Sequence, residues 1–191
     1  MQFVILSSSR GTTMQSVLDS LKDGSLQAHC CGLVTDKPNR GCVQKAKDAG
    51  LPIRVVEKQT AESRENYDKR LNVIIKDLVG EDATYIACMG WMFIFSEWFV
   101  SQWKDKILNV HPALLPKFPG AHAITDALSS EETETGMTIH LIDEGVDTGP
   151  TILQKSCPIK PDDTEDTLKL RVQKLEKEWY PKVLQKIHEE V

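Results

Sequence analysis

The densest chemistry in this chain lies at Asn109-Val110-His111-Pro112. Residues 107–110 read as a strand, and strand alternation points Asn109 and His111 to the same side. A carboxamide donor beside an imidazole suits polarisation of a carbonyl and transfer of a proton. A lone histidine bonded to backbone at a strand end would use the same residues. A second stretch, Asp143-Glu144-Gly145-Val146-Asp147-Thr148-Gly149-Pro150, sets carboxylates in a glycine-bracketed turn. A carboxylate there that meets His111 favours the imidazolium; otherwise the turn is an acidic, solvent-facing one. Thr138 and His140 alternate on the run entering it, and for His140 a structural and a catalytic role both stay open. A third stretch, Ser7-Ser8-Ser9-Arg10-Gly11-Thr12-Thr13, joins a strand to an amphipathic helix. Unpaired N–H groups and the helix dipole make such a place an expected phosphate site. An ordinary capped turn with a solvated Arg10 is the other reading, and the turn is neither GxGxxG nor a P-loop. The run Met89-Gly90-Trp91-Met92-Phe93-Ile94-Phe95 serves either as core or as a wall for a planar ligand.

These residues need a frame that brings distant segments together. Residues 2–7, 28–35, 52–56, 84–88 and 107–110 are apolar, strand-like runs. Between them Met14, Val17, Leu18 and Leu21 share one helical face that ends near Gly24, and residues 40–49 form a short helix before Gly50. Tyr67, Leu71, Ile74, Ile75 and Leu78 share another face, with Ser63 as N-cap and Gly80 as stop. Strands alternating with helices predict an α/β fold: a single open, mostly parallel twisted sheet with helices on both faces. Ligands in such sheets sit at the carboxyl ends of the strands.

Residues 111–120 carry three prolines and a glycine and must be a loop. Gly120 and Gly145 are candidate pivots of the two loops. Residues 137–142 and 151–159 form a β-hairpin-like extension, and a long helix runs from Thr164, with Pro181 expected to kink or divide it. The 191 residues predict one domain, 1–191, with a nucleotide- or phosphate-binding half (1–108) and a catalytic half (109–191).

Composition removes several function classes. A net charge of −5 argues against a generic nucleic-acid binder. No apolar run is long enough for a membrane span, and the N-terminus reads as a strand rather than a signal peptide. Cys30, Cys31, Cys42, Cys88 and Cys157 form no CxxC and read as reduced thiols of a cytoplasmic protein. His29, His111, His122 and His140 show no ligand spacing, so no metal is expected, and no GxSxG elbow occurs. The apolar patch around Trp98, Phe99 and Trp103 is either core or interface, which leaves monomer and homodimer both open.

Taken together these segments resemble one family, the folate-dependent formyltransferases, over nearly the whole chain. Asn109 through Gly120, followed by His140 and Asp147-Thr148-Gly149-Pro150, is the most specific part. The resemblance implies a Rossmann-like formyltransferase fold and transfer of a formyl group from 10-formyltetrahydrofolate to an amine, without a metal. The Ser8–Thr13 turn and Val172-Gln173-Lys174-Leu175-Glu176 with Tyr180-Pro181 are similar to the branch that acts on glycinamide ribonucleotide in purine synthesis. The chain's end at 191 leaves no room for the tRNA-binding appendage of another branch.

The resemblance also implies roles. Asn109 would donate to the formyl oxygen, and His111 would stabilise the oxyanion and move protons. Asp147 would keep His111 charged, and Thr138 would sit near the water that relays the proton. Gly11, Thr12 and Thr13 would take the phosphate, and Glu176 the ribose hydroxyls. Met92, Phe93, Ile94, Phe95, Asn109, Asp143 and Val146 would enclose the folate, with Arg64 near its tail. Arg10, Arg64 and Lys117 would add positive field. Ser9, Thr13 and Phe93 depart from the family's usual glycine, asparagine and arginine; serine at position 9 would restrict a loop needing positive φ. A sugar-nucleotide N-formyltransferase with the same three catalytic groups, or a non-catalytic folate- or nucleotide-binding module, are the alternative readings.

Overall fold

The computed structural model describes residues 1–80 and 84–191. Its sheet has seven strands. They are β1 (Gln2–Leu6), β2 (His29–Thr35), β3 (Ile53–Val55), β4 (Thr84–Cys88), β5 (Ile107–His111), β6 (Glu134–Leu141) and β7 (Thr151–Pro158). The order across the sheet is β3-β2-β1-β4-β5-β6-β7. The first five neighbours run parallel, and β6 and β7 are antiparallel additions. The chain builds outward from β1 in one direction to β3 and then in the other from β4, so the crevice at the carboxyl ends of β1 and β4 is a topological switch point.

Six helices cover the sheet: α1 (Thr12–Asp23), α2 (Gly41–Asp48), α3 (Arg64–Val79), α4 (Glu97–Gln102), α5 (Ala123–Leu128) and α6 (Glu165–Glu190). Strand alternation sorts the core onto two faces. Phe3, Ile5, Leu33, Ala87 and Leu108 pack with Val17 of α1, Ala46 of α2 and Leu168, Val172 and Tyr180 of α6. Val4, Leu6, Val34, Ile86 and Ile107 pack with Tyr67, Leu71 and Ile75 of α3 and Phe99 of α4. Phe99 and Trp103 are thus core rather than a free patch. All five cysteines are buried free thiols. Among the described residues no helix is long and apolar enough to cross a membrane.

The caps follow the sequence closely. Ser63 accepts from the Asn66 N–H, and Gly24 ends α1 in the left-handed region. The extension is longer than its sequence pattern, because β6 begins at Glu134. α4 and α5 carry too few residues to show a periodic face. The helix α6 is not divided at Pro181. The missing N–H costs one hydrogen bond, but the buried face on both sides of the proline, from Leu168 to Leu184, holds the helix together. Tyr180 adds a tie to the sheet, its hydroxyl lying 3.2 Å from the Cys88 carbonyl and 3.4 Å from that of Leu108.

Candidate active site

A cavity of about 490 Å³ opens at the carboxyl ends of β1, β4 and β5. Its polar end begins where β1 turns into α1. Gly11 caps α1 at φ +73°, and a Cβ there would meet the Cys42 Cα at 3.0 Å, so glycine is required twice over. No side chain caps the helix, and Thr12 and Thr13 line the cavity with the first N–H groups of α1. Ser9 lies outside the left-handed region, so the restriction expected there does not arise. Its Oγ accepts from the Gly11 N–H at 3.1 Å, which removes one donor from an incoming anion.

Thr13 differs from its expected role. Its hydroxyl donates to Glu176 Oε2 at 2.8 Å in a buried contact, so only its main chain is left for an anion. Burial raises the Glu176 carboxyl above its ordinary value, against the Thr13 hydroxyl and the charges of Lys177 and Lys169. Lys169, Gln173 and Glu176 form one face of α6 on the cavity wall. Lys169 is the cation that sequence reading missed, although its i, i+7 spacing from Glu176 was available as a signal. Arg10 and Arg64 are exposed and neither lines the cavity; Lys117 pairs with Glu132 at 2.7 Å.

The reactive end lies where β5 meets β6, with Asn109 opposite His140 and His111 opposite Thr138. The His140 Nδ1 donates to the Leu141 carbonyl at 2.9 Å. Its Nε2 then stands between the Asn109 amide nitrogen at 3.2 Å and Asp147 Oδ1 at 3.6 Å. Asp147 Oδ2 is 3.2 Å from His111 Nδ1 and accepts the Gly120 N–H at 2.8 Å. Asn109, His140, Asp147 and His111 are therefore one contiguous network on the cavity wall.

The charge state expected of His111 meets an opposing effect. Burial pushes its pKa below the ordinary value, against Asp147 and the Phe118 carbonyl, which favour the cation. Its Nε2 donates to that carbonyl at 2.7 Å, so both ring nitrogens already face protein acceptors. Burial also works to raise Asp147, but His140, the Gly120 N–H and His111 outweigh it and hold the carboxylate below its usual range.

Thr138 is fully buried and does not line the cavity. Its hydroxyl donates to the Ala113 carbonyl at 2.7 Å and accepts from the Leu115 N–H and Gln154 Nε2, each at 3.0 Å. It anchors the proline-rich loop. Gln154 carried no sequence signal for this task.

The remaining wall is apolar. Trp91 packs on Phe93 and Phe95 with ring centroids 5.4 and 6.3 Å apart, and Phe93 rests on Tyr67 at 5.2 Å. Met92 and Ile94 are exposed at the mouth. Val146 faces the cavity from the 143–148 turn, which Asp143 holds by accepting from the Gly145 N–H and the Thr148 hydroxyl. A Cβ on Gly145 would lie 2.0 Å from the Thr148 Oγ1, so close approach is what demands glycine here.

An open α/β sheet with an Asn/His/Asp network beside an uncapped helix N-terminus, in one cavity, has the form of an enzyme active site. The chain belongs to the formyl transferase family, whose model matches residues 1–184. It is 32% identical to the phosphoribosylglycinamide formyltransferase of Bacillus subtilis over 186 residues, 97% of this chain and 94% of that protein. It is 37% identical to the trifunctional purine biosynthetic protein adenosine-3 of Drosophila melanogaster over 182 residues, 94% of this chain but only 13% of that protein. The crystal structure of phosphoribosylglycinamide formyltransferase from Bacillus halodurans superposes with a TM-score of 0.92 at 33% identity, covering 98% and 95% of the two chains.

Proposed function

We propose that this chain transfers the formyl group of 10-formyltetrahydrofolate to the amine of glycinamide ribonucleotide, a step of purine synthesis. The observation that carries the reading is the contiguous network of Asn109, His140, Asp147 and His111 in the same cavity as the open end of α1. The names of the relatives support the same acceptor.

The phosphate takes the N–H groups of Thr12 and Thr13 and the positive field of α1 and Lys169. Glu176, a buried acceptor between the two ends of the cavity, takes the ribose hydroxyls. The apolar wall from Trp91 to Phe95, with Val146 opposite, takes the folate ring. The neutral amine attacks the formyl carbon, and negative charge develops on the formyl oxygen. Asn109 donates to that oxygen; one such donor is worth about 10²–10³ in rate. Asp147 keeps a proton available on His111 and takes a proton from the attacking amine, directly or through water. The tetrahedral intermediate then collapses with cleavage of the formyl carbon–nitrogen bond of the donor, and tetrahydrofolate leaves as an aryl amine that carries one proton in place of the formyl group. His111 reaches the reacting oxygen once the Phe118 carbonyl yields its Nε2–H. Thr138 serves by holding the loop that carries Phe118.

The test is an absorbance assay with a 10-formylfolate donor and three acceptor arms: glycinamide ribonucleotide, an amino-sugar nucleotide and buffer alone. Turnover with the ribonucleotide alone is expected. Transfer only to the amino sugar would reassign the acceptor, and donor binding without transfer to any amine would leave a binding module.

A further inference from the structure

Asp68 lies outside the network above, yet its position on α3 is costly. It is wholly buried among the apolar residues of α3 and α4, and its Oδ1 has no hydrogen-bond partner among the described residues. A buried carboxylate is costly to desolvate, so such a residue is a poor source of stability in its own right, although its removal strands the donor it serves. What Asp68 does make is a contact with Ser96, its Oδ2 accepting the Ser96 N–H at 2.6 Å with the Ser96 hydroxyl beside it.

That contact falls at a decisive point of the cavity. The segment from Met89 to Ser96 leaves β4, forms the apolar wall and enters α4. Its first end is tied to the sheet and the first turn by Met89 N–H to the Leu6 carbonyl at 3.0 Å, Ser8 N–H to the Gly90 carbonyl at 3.0 Å and the Ser7 hydroxyl to the Met89 carbonyl at 2.8 Å. Its far end is Ser96, the N-cap of α4, whose own N–H points to Asp68. Between the two ends the rings of Trp91, Phe93 and Phe95 are held by packing, which is non-directional. The preceding residue of α3, Tyr67, supports Phe93 and is itself fixed by its hydroxyl to the Val56 carbonyl at 2.8 Å.

We propose that Asp68 is a positioning residue for the formyl donor: by accepting the Ser96 N–H it fixes the far end of the Trp91–Phe95 wall and so the shape of the surface that receives the donor's ring. This rests on the donor reading above. The acceptor amine and phosphate bind at the other walls, so the effect separates by substrate.

The experiment uses Asp68→Leu and Asp68→Asn in the full chain. Tetrahydrofolate binding is read by tryptophan fluorescence, with kcat, both KM values and the thermal midpoint. For Asp68→Leu the midpoint is expected to fall, because the buried Ser96 N–H loses its acceptor, and the tetrahydrofolate Kd and the donor KM rise about tenfold, equivalent to about 1.4 kcal/mol. The acceptor KM moves less than twofold. Asp68→Asn keeps an oxygen for the Ser96 N–H and is expected to recover most of the affinity. Ser96→Pro, admitted by a φ of −74°, removes the same N–H from the other side together with the hydroxyl that caps α4, and gives the same loss should the leucine variant not fold. Ser96→Ala, which loses the hydroxyl and keeps the N–H, is its control and is expected to retain most of the affinity. Tetrahydrofolate affinity within twofold of wild type, whatever the midpoint does, would make Asp68 a residue of the fold alone and overturn the proposal. Wild-type chain that does not bind tetrahydrofolate overturns the donor reading, and this inference with it.

Discussion

Replacing Asp147 by asparagine isolates the charge at the centre of the site. Asp147 sits at φ 55°, a region that asparagine and aspartate tolerate better than other non-glycine residues, so Asp147→Asn leaves the backbone in place. A side-chain oxygen still accepts from the Gly120 N–H. What disappears is a negative charge 3.2 Å from His111 Nδ1. At an effective dielectric of about 20 the Coulomb attraction at that distance has a ceiling of about 5 kcal/mol. Carboxylate–cation pairs of this kind move a pKa by roughly 1–3 units, which fits beneath that ceiling. Burial already pushes His111 down, so the variant imidazole loses the cation further and the rate at neutral pH falls about 10–10³-fold. The assay is the absorbance change on loss of the formyl group, paired with an NMR titration of the His111 ring. A rate within threefold of wild type, or a His111 titration unmoved by the substitution, would refute the electrostatic role.

Three further outcomes follow from contacts already described. Thr138→Val strands the Leu115 N–H and should cost about 1–3 kcal/mol in urea unfolding, with a lower kcat because the loop over His111 loosens. Thr13→Val removes the hydroxyl on Glu176 and should raise the KM for the ribonucleotide about tenfold or more while the donor KM stays put; Thr13→Ser should restore it. The Arg70 hydrogen bond and then the Gln59 N–H hold Glu62 at about 2, below its ordinary 4.5. Its contribution to stability is therefore complete above that ordinary value and is lost as pH falls toward the folded one. Urea midpoints measured near pH 5 and near pH 3 should diverge less in Glu62→Gln than in wild type.

The sheet was legible because local pattern and local chemistry coincide there, whereas the meeting of His111 with Asp147 came only from the family resemblance, local pattern leaving a solvent-facing turn equally open. Alternation placed Asn109 and His111 on one side, and turn residues marked the 143–150 segment. Gly24 announced the end of α1. Other features depend on contacts distant in sequence. Nothing near Thr138 says that Ala113, Leu115 and Gln154 will surround its hydroxyl. The Phe118 carbonyl reaches His111 only because the proline-rich loop turns back at φ 56°. Thr13 was assigned to an anion from its place at the helix start, whereas its rotamer answers to Glu176 on a helix far along the chain. α4 and α5 were unreadable because they have too few residues for a 3.6-residue period to emerge.

The tie between Tyr180 and the carbonyls of Cys88 and Leu108 has a consequence for how the chain is made. On a ribosome, the strands that carry the reactive network emerge well before α6. Until that helix docks, one face of the sheet remains an uncovered apolar surface, and the cavity lacks Lys169, Gln173 and Glu176. Nascent chains short of α6 are thus natural clients for chaperones and are expected to have no hold on the nucleotide. The cavity wall is complete only with α6 docked on the sheet.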